Sequence, residues 1–119
     1  MPGDIKERTF SFALDIVRLT QRLEGQSGVS RVLARQLLRS GTSIGANVEE
    51  AQAGQSRADF SSKYAIALKE ARETVYWLRL LKECESSRDH EYDALLREAG
   101  ELARIIGAIL VKSKKDQGG

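Results

Sequence analysis

Apolar side chains recur along this chain at intervals of three and four residues, in four separate runs. The first run, Thr9 to Glu24, carries two apolar sets: Phe10, Ala13, Leu14 and Val17, and then Phe12, Ile16, Leu19 and Leu23. At about 100° per residue the two sets lie roughly 140° apart on a helix. A helix packed on one neighbour needs one such stripe, so this one is expected to make contact on two sides. The second run, Arg31 to Gln55, places Leu33, Leu37, Ile44, Val48 and Ala51 on one stripe. The third, Arg57 to Glu85, has Phe60, Tyr64, Ala67, Leu68, Ala71, Val75 and Leu78 as its core stripe. Near its end Tyr76, Trp77, Leu80 and Cys84 point away from that stripe, the pattern of a surface that meets a partner. The fourth, His90 to Ser113, carries Tyr92, Leu96, Ala99, Leu102, Ala103, Ile106, Ile109 and Leu110, with Gly100 and Gly107 together on another side.

The punctuation between the runs is short. Gly25 or Gly28 can supply a left-handed turn after the first helix, and Ser30 can cap the second. Ser56 or Asp59 can open the third helix and Asp89 the fourth. The single proline is Pro2, so nothing interrupts the long runs. Short turns make successive helices run antiparallel, and the expected fold is all-α: an up-down-up-down four-helix bundle over residues 9–113. Residues 1–8 and 114–119 are expected to be flexible tails.

Composition adds compartment and excludes several chemistries. At 119 residues and 13.2 kDa the chain is long enough for one domain with its own core. There is one cysteine, Cys84, so no intrachain disulfide can form, which suits a reducing cytoplasm. No apolar run is long enough to span a membrane. His90 is the only imidazole and stands where a helix begins, so no nucleophile, base and orienting group assemble within one chain. A bundle-core metal site needs paired Glu-x-x-His motifs, which are absent. Neither a catalytic residue nor a cofactor or metal is expected.

The densest stretch is Arg39 to Ala51, R-S-G-T-S-I-G-A-N-V-E-E-A. Its Gly41 and Gly45 lack the lysine and the preceding strand of a phosphate loop. With Ala34 and Leu38 they make a small-residue side of the second helix, and close approach of a neighbour explains them better. Together with Tyr76, Trp77 and Leu80 they are the candidate oligomer interface. A polar row, Gln36, Ser40, Ser43, Asn47 and Glu50, borders the core stripe. Side chains there need hydrogen-bond partners, so Ser43, Asn47 and Glu50 are expected either in a network that fixes register or a subunit interface, or in a pocket for a partner.

The net charge is only +2, but its distribution is uneven. Between Glu24 and Glu49 there is no acid, and Arg31, Arg35 and Arg39 recur every four residues. Arg18 and Arg22 make a similar pair. On a single chain such rows read as solvated helix faces. Repeated around an assembly they would build a positive field, which makes these five arginines the candidate nucleic-acid contacts. No aromatic residue is interleaved with them.

The residues Gln36-Leu37, Arg39, Ser43-Ile44, Asn47 and Glu50, followed by Phe60, Ala67 and Glu70, carry a resemblance across roughly Phe10 to Leu110. In them the chain resembles the four-helix bundle proteins encoded in intervening sequences of bacterial 23S rRNA genes. The resemblance implies an antiparallel bundle that assembles as a homopentameric ring. A related branch, the accessory proteins of diversity-generating retroelements, forms basic pentameric barrels that bind nucleic acid. By that resemblance the chain is expected to be a non-enzymatic homo-oligomer that binds RNA or DNA. The competing expectation is a scaffold whose ligand is another protein.

Overall fold

Why four long helices form is visible in the local chemistry. Alanine, leucine, glutamate and arginine fill the runs, and all favour helix. In the computed structural model, which describes residues 4–26, 28–54 and 56–118, these runs are α1 (Ile5–Glu24), α2 (Val29–Gln52), α3 (Arg57–Cys84) and α4 (Asp89–Gly118). A single 3-10 turn, Ser86–Arg88, links α3 to α4. There is no strand among the described residues.

The ends differ from expectation in instructive ways. α1 begins at Ile5, four residues before Thr9, because Ile5 is buried and Arg8 reaches Glu98 of α4 at 2.7 Å. These four residues were expected in a tail. α4 continues to Gly118 instead of ending at Ser113, with Asp116 3.8 Å from Arg57. Ser30 lies inside α2, and the residue before that helix is Gly28, whose φ of 74° only glycine adopts without strain. Gly25 is right-handed, with φ of −76°. Ser56 does cap α3: its hydroxyl accepts from the Asp59 amide at 3.1 Å. The expected end of α2 at Gln55, the tail residues 1–3 and Gly119 lie outside the described residues.

The helices touch in the cyclic order α1, α2, α3, α4, with α1 meeting α4 only sparingly, in a bundle 50 Å long and 21 Å across. Specific pairs fix the register. On α3 and α4, Arg57 meets Asp116, Ser61 meets Ser113 at 2.8 Å, and Lys82 meets Asp93 at 2.7 Å, so rising numbers on one helix meet falling numbers on the other. On α2 and α3, Ser40 meets Thr74 at 2.9 Å and Gln52 meets Tyr64 at 3.3 Å. The core is built from the expected stripes: Leu37, Ile44 and Val48 of α2, Tyr64, Ala71 and Leu78 of α3, and Tyr92, Leu102 and Ile106 of α4 are all buried. From α1 it takes Phe12, Ile16, Leu19 and Leu23, and leaves the other apolar set outside. Aliphatic burial of this kind supplies roughly 1.5–3 kcal/mol for each large side chain and is what holds the four helices together.

Candidate interaction surfaces

Small residues on α2 let α1 in. A Cβ on Gly41 would come within 2.9 Å of Ile16, and one on Gly45 within 3.2 Å of Thr9. Both glycines are buried in the single chain. Their expected role at an oligomer interface is therefore corrected: the close neighbour they admit is α1 of the same chain. Of the other residues in that group, Trp77 is half-buried against the core and donates its indole N–H to Glu73 at 2.9 Å. Leu80 is half-buried. Tyr76 stands out at 53% exposure, edge-on to Trp77 with ring centroids 5.2 Å apart.

The arginine rows turn out to be largely committed. Arg39 pairs with Glu70 at 3.3 Å and with Glu73, across the α2–α3 groove. Arg35 pairs with Glu24 at 2.7 Å, and Arg18 lies 3.9 Å from Asp15. Arg22 is clamped by Glu85 at 3.2 Å and Glu91 at 2.7 Å. Of the five, Arg31 alone makes no ion pair among the described residues, and it is exposed. Asp15 and Glu24 are near their arginines in sequence, but Glu70, Glu73, Glu85 and Glu91 come from distant parts of the chain, which is why the acid-free stretch of sequence looked like an uncompensated positive row.

Around Arg22 the pairing becomes a partly buried network. Tyr92 donates to Glu85 at 2.5 Å, and Gln26 donates to the same carboxylate at 3.2 Å. Burial pushes Glu85 up, but the Tyr92 and Arg22 hydrogen bonds outweigh it and hold the carboxyl below its usual range. Burial, reinforced by the bond to Glu85, raises the Tyr92 phenol well above its ordinary value. Partial burial of Arg22 lowers its pKa, and the hydrogen bond to Glu85 and the charges of Glu91 and Glu85 more than reverse that.

Within the single chain, Ser43, Asn47 and Glu50 make no side-chain hydrogen bonds to one another among the described residues. Ser43 donates to the Arg39 carbonyl at 2.7 Å, and Asn47 donates to the Ser43 carbonyl at 2.8 Å, both within α2. Glu50 is exposed and has no hydrogen bond or ion pair among the described residues. Ser40 is the member that crosses between helices, through Thr74. The reason is distance round the helix: the i−4 carbonyl is within reach of a short side chain, and the next polar residue is not.

Two further features mark the surface, and the first contains the other apolar set expected of α1. Phe10 at 61% exposure, with Leu14 and Leu38 at 38% each, forms an apolar band on the outer side of α1 and α2. At one end of the bundle a cleft of about 520 Å³ opens between Ala51, Phe60 and Ile109, rimmed by Arg57, Lys112 and Asp116. His90 and Cys84 are exposed. No group of three or more His, Cys, Asp or Glu able to hold a metal occurs among the described residues, and no helix is long and apolar enough to cross a membrane.

The family model described as 23S rRNA-intervening sequence protein matches residues 3–108. The chain belongs to this family. Within the 23S rRNA-intervening sequence proteins, a further likeness is to a solved structure. The crystal structure of a protein with unknown function from the S23 ribosomal protein family, from Bacteroides thetaiotaomicron VPI-5482, has a TM-score of 0.81 and 42% identity, covering 89% of this chain and 97% of that one. A search of curated proteins finds no match. The polar residues that carry the resemblance to the 23S rRNA-intervening sequence family gather along the α2–α3 groove. There Gln36, Arg39, Glu70 and Glu73 form one charged cluster beside Trp77. The cluster bridges α2 and α3 and sets Arg39 against two carboxylates, so it offers no uncompensated positive charge to a ligand.

Proposed function

We propose that this chain is a non-enzymatic binding protein of the cytoplasm, an up-down-up-down antiparallel bundle that works as a homo-oligomeric ring and binds RNA or DNA. The observation that carries self-association is the apolar band of Phe10, Leu14 and Leu38. Three large apolar side chains clustered on one outer side, beside the half-buried Ala13 and Val17, leave hydrocarbon in water that a second copy would cover. A ring follows when the patch meets a different surface of the next copy and the rotation closes. Five subunits is the number the family resemblance implies. Nucleic acid is favoured over a purely protein ligand by the family's link to intervening sequences of 23S rRNA and by the chain's pI of about 8.8.

The test of assembly is mass in solution by light scattering or sedimentation. The expected result is a multiple of the 13.2 kDa chain that falls towards one chain in a Phe10→Ser, Leu14→Ser variant. A wild-type mass of one chain would overturn the oligomer. The test of the ligand is binding of labelled RNA and DNA at two salt concentrations, where phosphate contact weakens steeply as salt rises. Absence of binding at low salt by the assembled protein would leave the protein scaffold as the reading.

A further inference from the structure

We propose that the outer face of α3 and α4 is where this protein holds a single strand of nucleic acid, with Arg72, Arg79, Arg97 and Arg104 on phosphates and Tyr76 stacked on a base. This rests on the nucleic-acid reading above and adds to it the surface and the class of strand.

The register places these residues together. Gly107 of α4 lies against Leu68 of α3, at 3.9 Å from a built Cβ, and Lys82 pairs with Asp93 further along. Arg72 and Arg79 come four and eleven residues after Leu68, so they return to nearly its side of α3. Arg104 and Arg97 come three and ten residues before Gly107 on α4. At 1.5 Å per residue, Arg72 and Arg104 share one level, and Arg79 and Arg97 share another about 10 Å along the bundle. Four guanidinium groups thus form two rungs across the α3–α4 groove. Between the rungs stand Tyr76 on α3 and Gly100 on α4. Gly100 is exposed and has nothing within 4 Å of where its Cβ would be, so the surface beside the tyrosine is open.

The charge is available, in contrast to the rows on α1 and α2. All four arginines are exposed, and Arg72, Arg79 and Arg97 make no ion pair among the described residues. Arg104 pairs with Glu101 on its own helix. Of the other nearby carboxylates, Asp93 is paired with Lys82 at 2.7 Å and Glu83 is exposed, so four arginines and Lys82 face Glu101, Asp93 and Glu83 and the face stays net positive. An aromatic ring set between cations is the arrangement that binds single strands: the cations track the backbone, and the ring takes an unpaired base, which a duplex does not offer. The face also lies away from the apolar band of α1 and α2 in the cyclic order of helices, so it is a surface separate from that band.

The experiment is fluorescence anisotropy on the full chain with a labelled RNA oligonucleotide, the DNA of the same sequence, and the corresponding duplexes, at about 50 and 200 mM salt. Circular dichroism and light scattering establish that each variant keeps its fold and mass. Single strands are expected to bind more tightly than duplexes. The pairs Arg72→Ala with Arg79→Ala, and Arg97→Ala with Arg104→Ala, are each expected to weaken binding roughly tenfold at low salt and to lower the salt slope by about 0.7 per arginine removed. Tyr76→Ala is expected to weaken it about fivefold or more, and Tyr76→Phe to keep it. Arg31→Ala with Arg35→Ala is expected to leave binding unchanged. If wild type binds no strand at low salt, the nucleic-acid reading itself falls. If it binds, and only the Arg31 and Arg35 variant loses affinity, the reading stands and this surface is overturned. If duplexes bind as tightly and Tyr76→Ala has no effect, the single-strand assignment is overturned.

Discussion

Gly41 is fitted so closely against Ile16 that a methyl group on its α-carbon would stand 2.9 Å from Ile16 Cγ2 and 3.0 Å from Cγ1. Ile16 is fully buried, and the contact is near its branch point, so it has no flexible end to move aside. Gly41→Ala gains about 1 kcal/mol of helix propensity and loses about 1–3 kcal/mol to overpacking, and a net loss of stability is expected. Gly100→Ala meets nothing within 4 Å on an exposed part of α4 and is expected to stabilise by about 0.5–1 kcal/mol. Urea denaturation of the two variants checks both signs.

The hydroxyls of Ser40 and Thr74 are both buried, and Thr74 donates across to Ser40 at 2.9 Å. Thr74→Val removes the donor and leaves Ser40 without its cross-helix partner, at an expected cost of about 1–3 kcal/mol. In a background carrying Ser40→Ala, nothing polar is left behind on α2, and the same substitution is expected to cost less. A double-mutant cycle measures the difference, and purely additive costs would show that the bond contributes nothing to holding α2 against α3.

The Glu85–Tyr92 pair makes stability depend on pH at both ends of the scale. Glu85 titrates below its ordinary range in the fold, so its contribution is present above the unfolded carboxyl value of about 4.3 and is lost as pH falls through the folded one. The Tyr92 phenol titrates above its ordinary value, so its contribution is present below about pH 10 and is lost as pH rises through the raised folded value. Tyr92→Phe is expected to cost about 1–2 kcal/mol at neutral pH, because a hydrogen bond to a carboxylate is lost. It is also expected to flatten the alkaline limb and make the acid limb shallower. Denaturation midpoints measured from acid to alkaline pH test this, and unchanged limbs in the variant would assign them to other groups.

Local periodicity located the buried residues because a helix repeats its core side every three or four positions. Leu37, Ile44, Val48, Tyr64, Leu78 and Ile106 were found that way, and the cap at Ser56 by its hydroxyl before an apolar run. What periodicity could not say is which neighbour fills a given side. Gly41 and Gly45 announce that something comes close, and only the fold shows that it is α1. For the same reason the two apolar sets of α1 looked equivalent until one was buried and the other left outside. The arginines misled because a charge is compensated through space. Glu98 is 90 residues from Arg8, and Glu70 is 31 from Arg39, so no window of sequence contains both partners. The α3–α4 arginines were hidden in the opposite way: Arg72, Arg79, Arg97 and Arg104 stand among acids in the sequence, and the helices turn most of those acids elsewhere.

Trp77 is the only tryptophan in the chain and reports on the α2–α3 cluster. Its indole N–H donates to Glu73 at 2.9 Å, and the same carboxylate accepts from Arg39. Glu73→Ala removes the indole's partner and one of the two carboxylates that hold Arg39, so Trp77 emission is expected to move to longer wavelength as water replaces the acceptor. Arg39→Ala keeps the Trp77–Glu73 bond and is expected to shift emission less, while leaving Glu70 and Glu73 as adjacent, uncompensated negative charges. Because Arg39 is about half exposed, its pairs are worth little individually, and the expected loss of stability is below about 1 kcal/mol and smaller at high salt. Any loss of nucleic-acid affinity in Arg39→Ala would then come with added negative charge in the groove. Glu70→Gln separates the two effects: it relieves that repulsion without restoring a cation. Affinity that recovers in the Arg39→Ala, Glu70→Gln double variant shows that Arg39 acts by neutralising its neighbours, and affinity that stays low shows that Arg39 itself touches the strand.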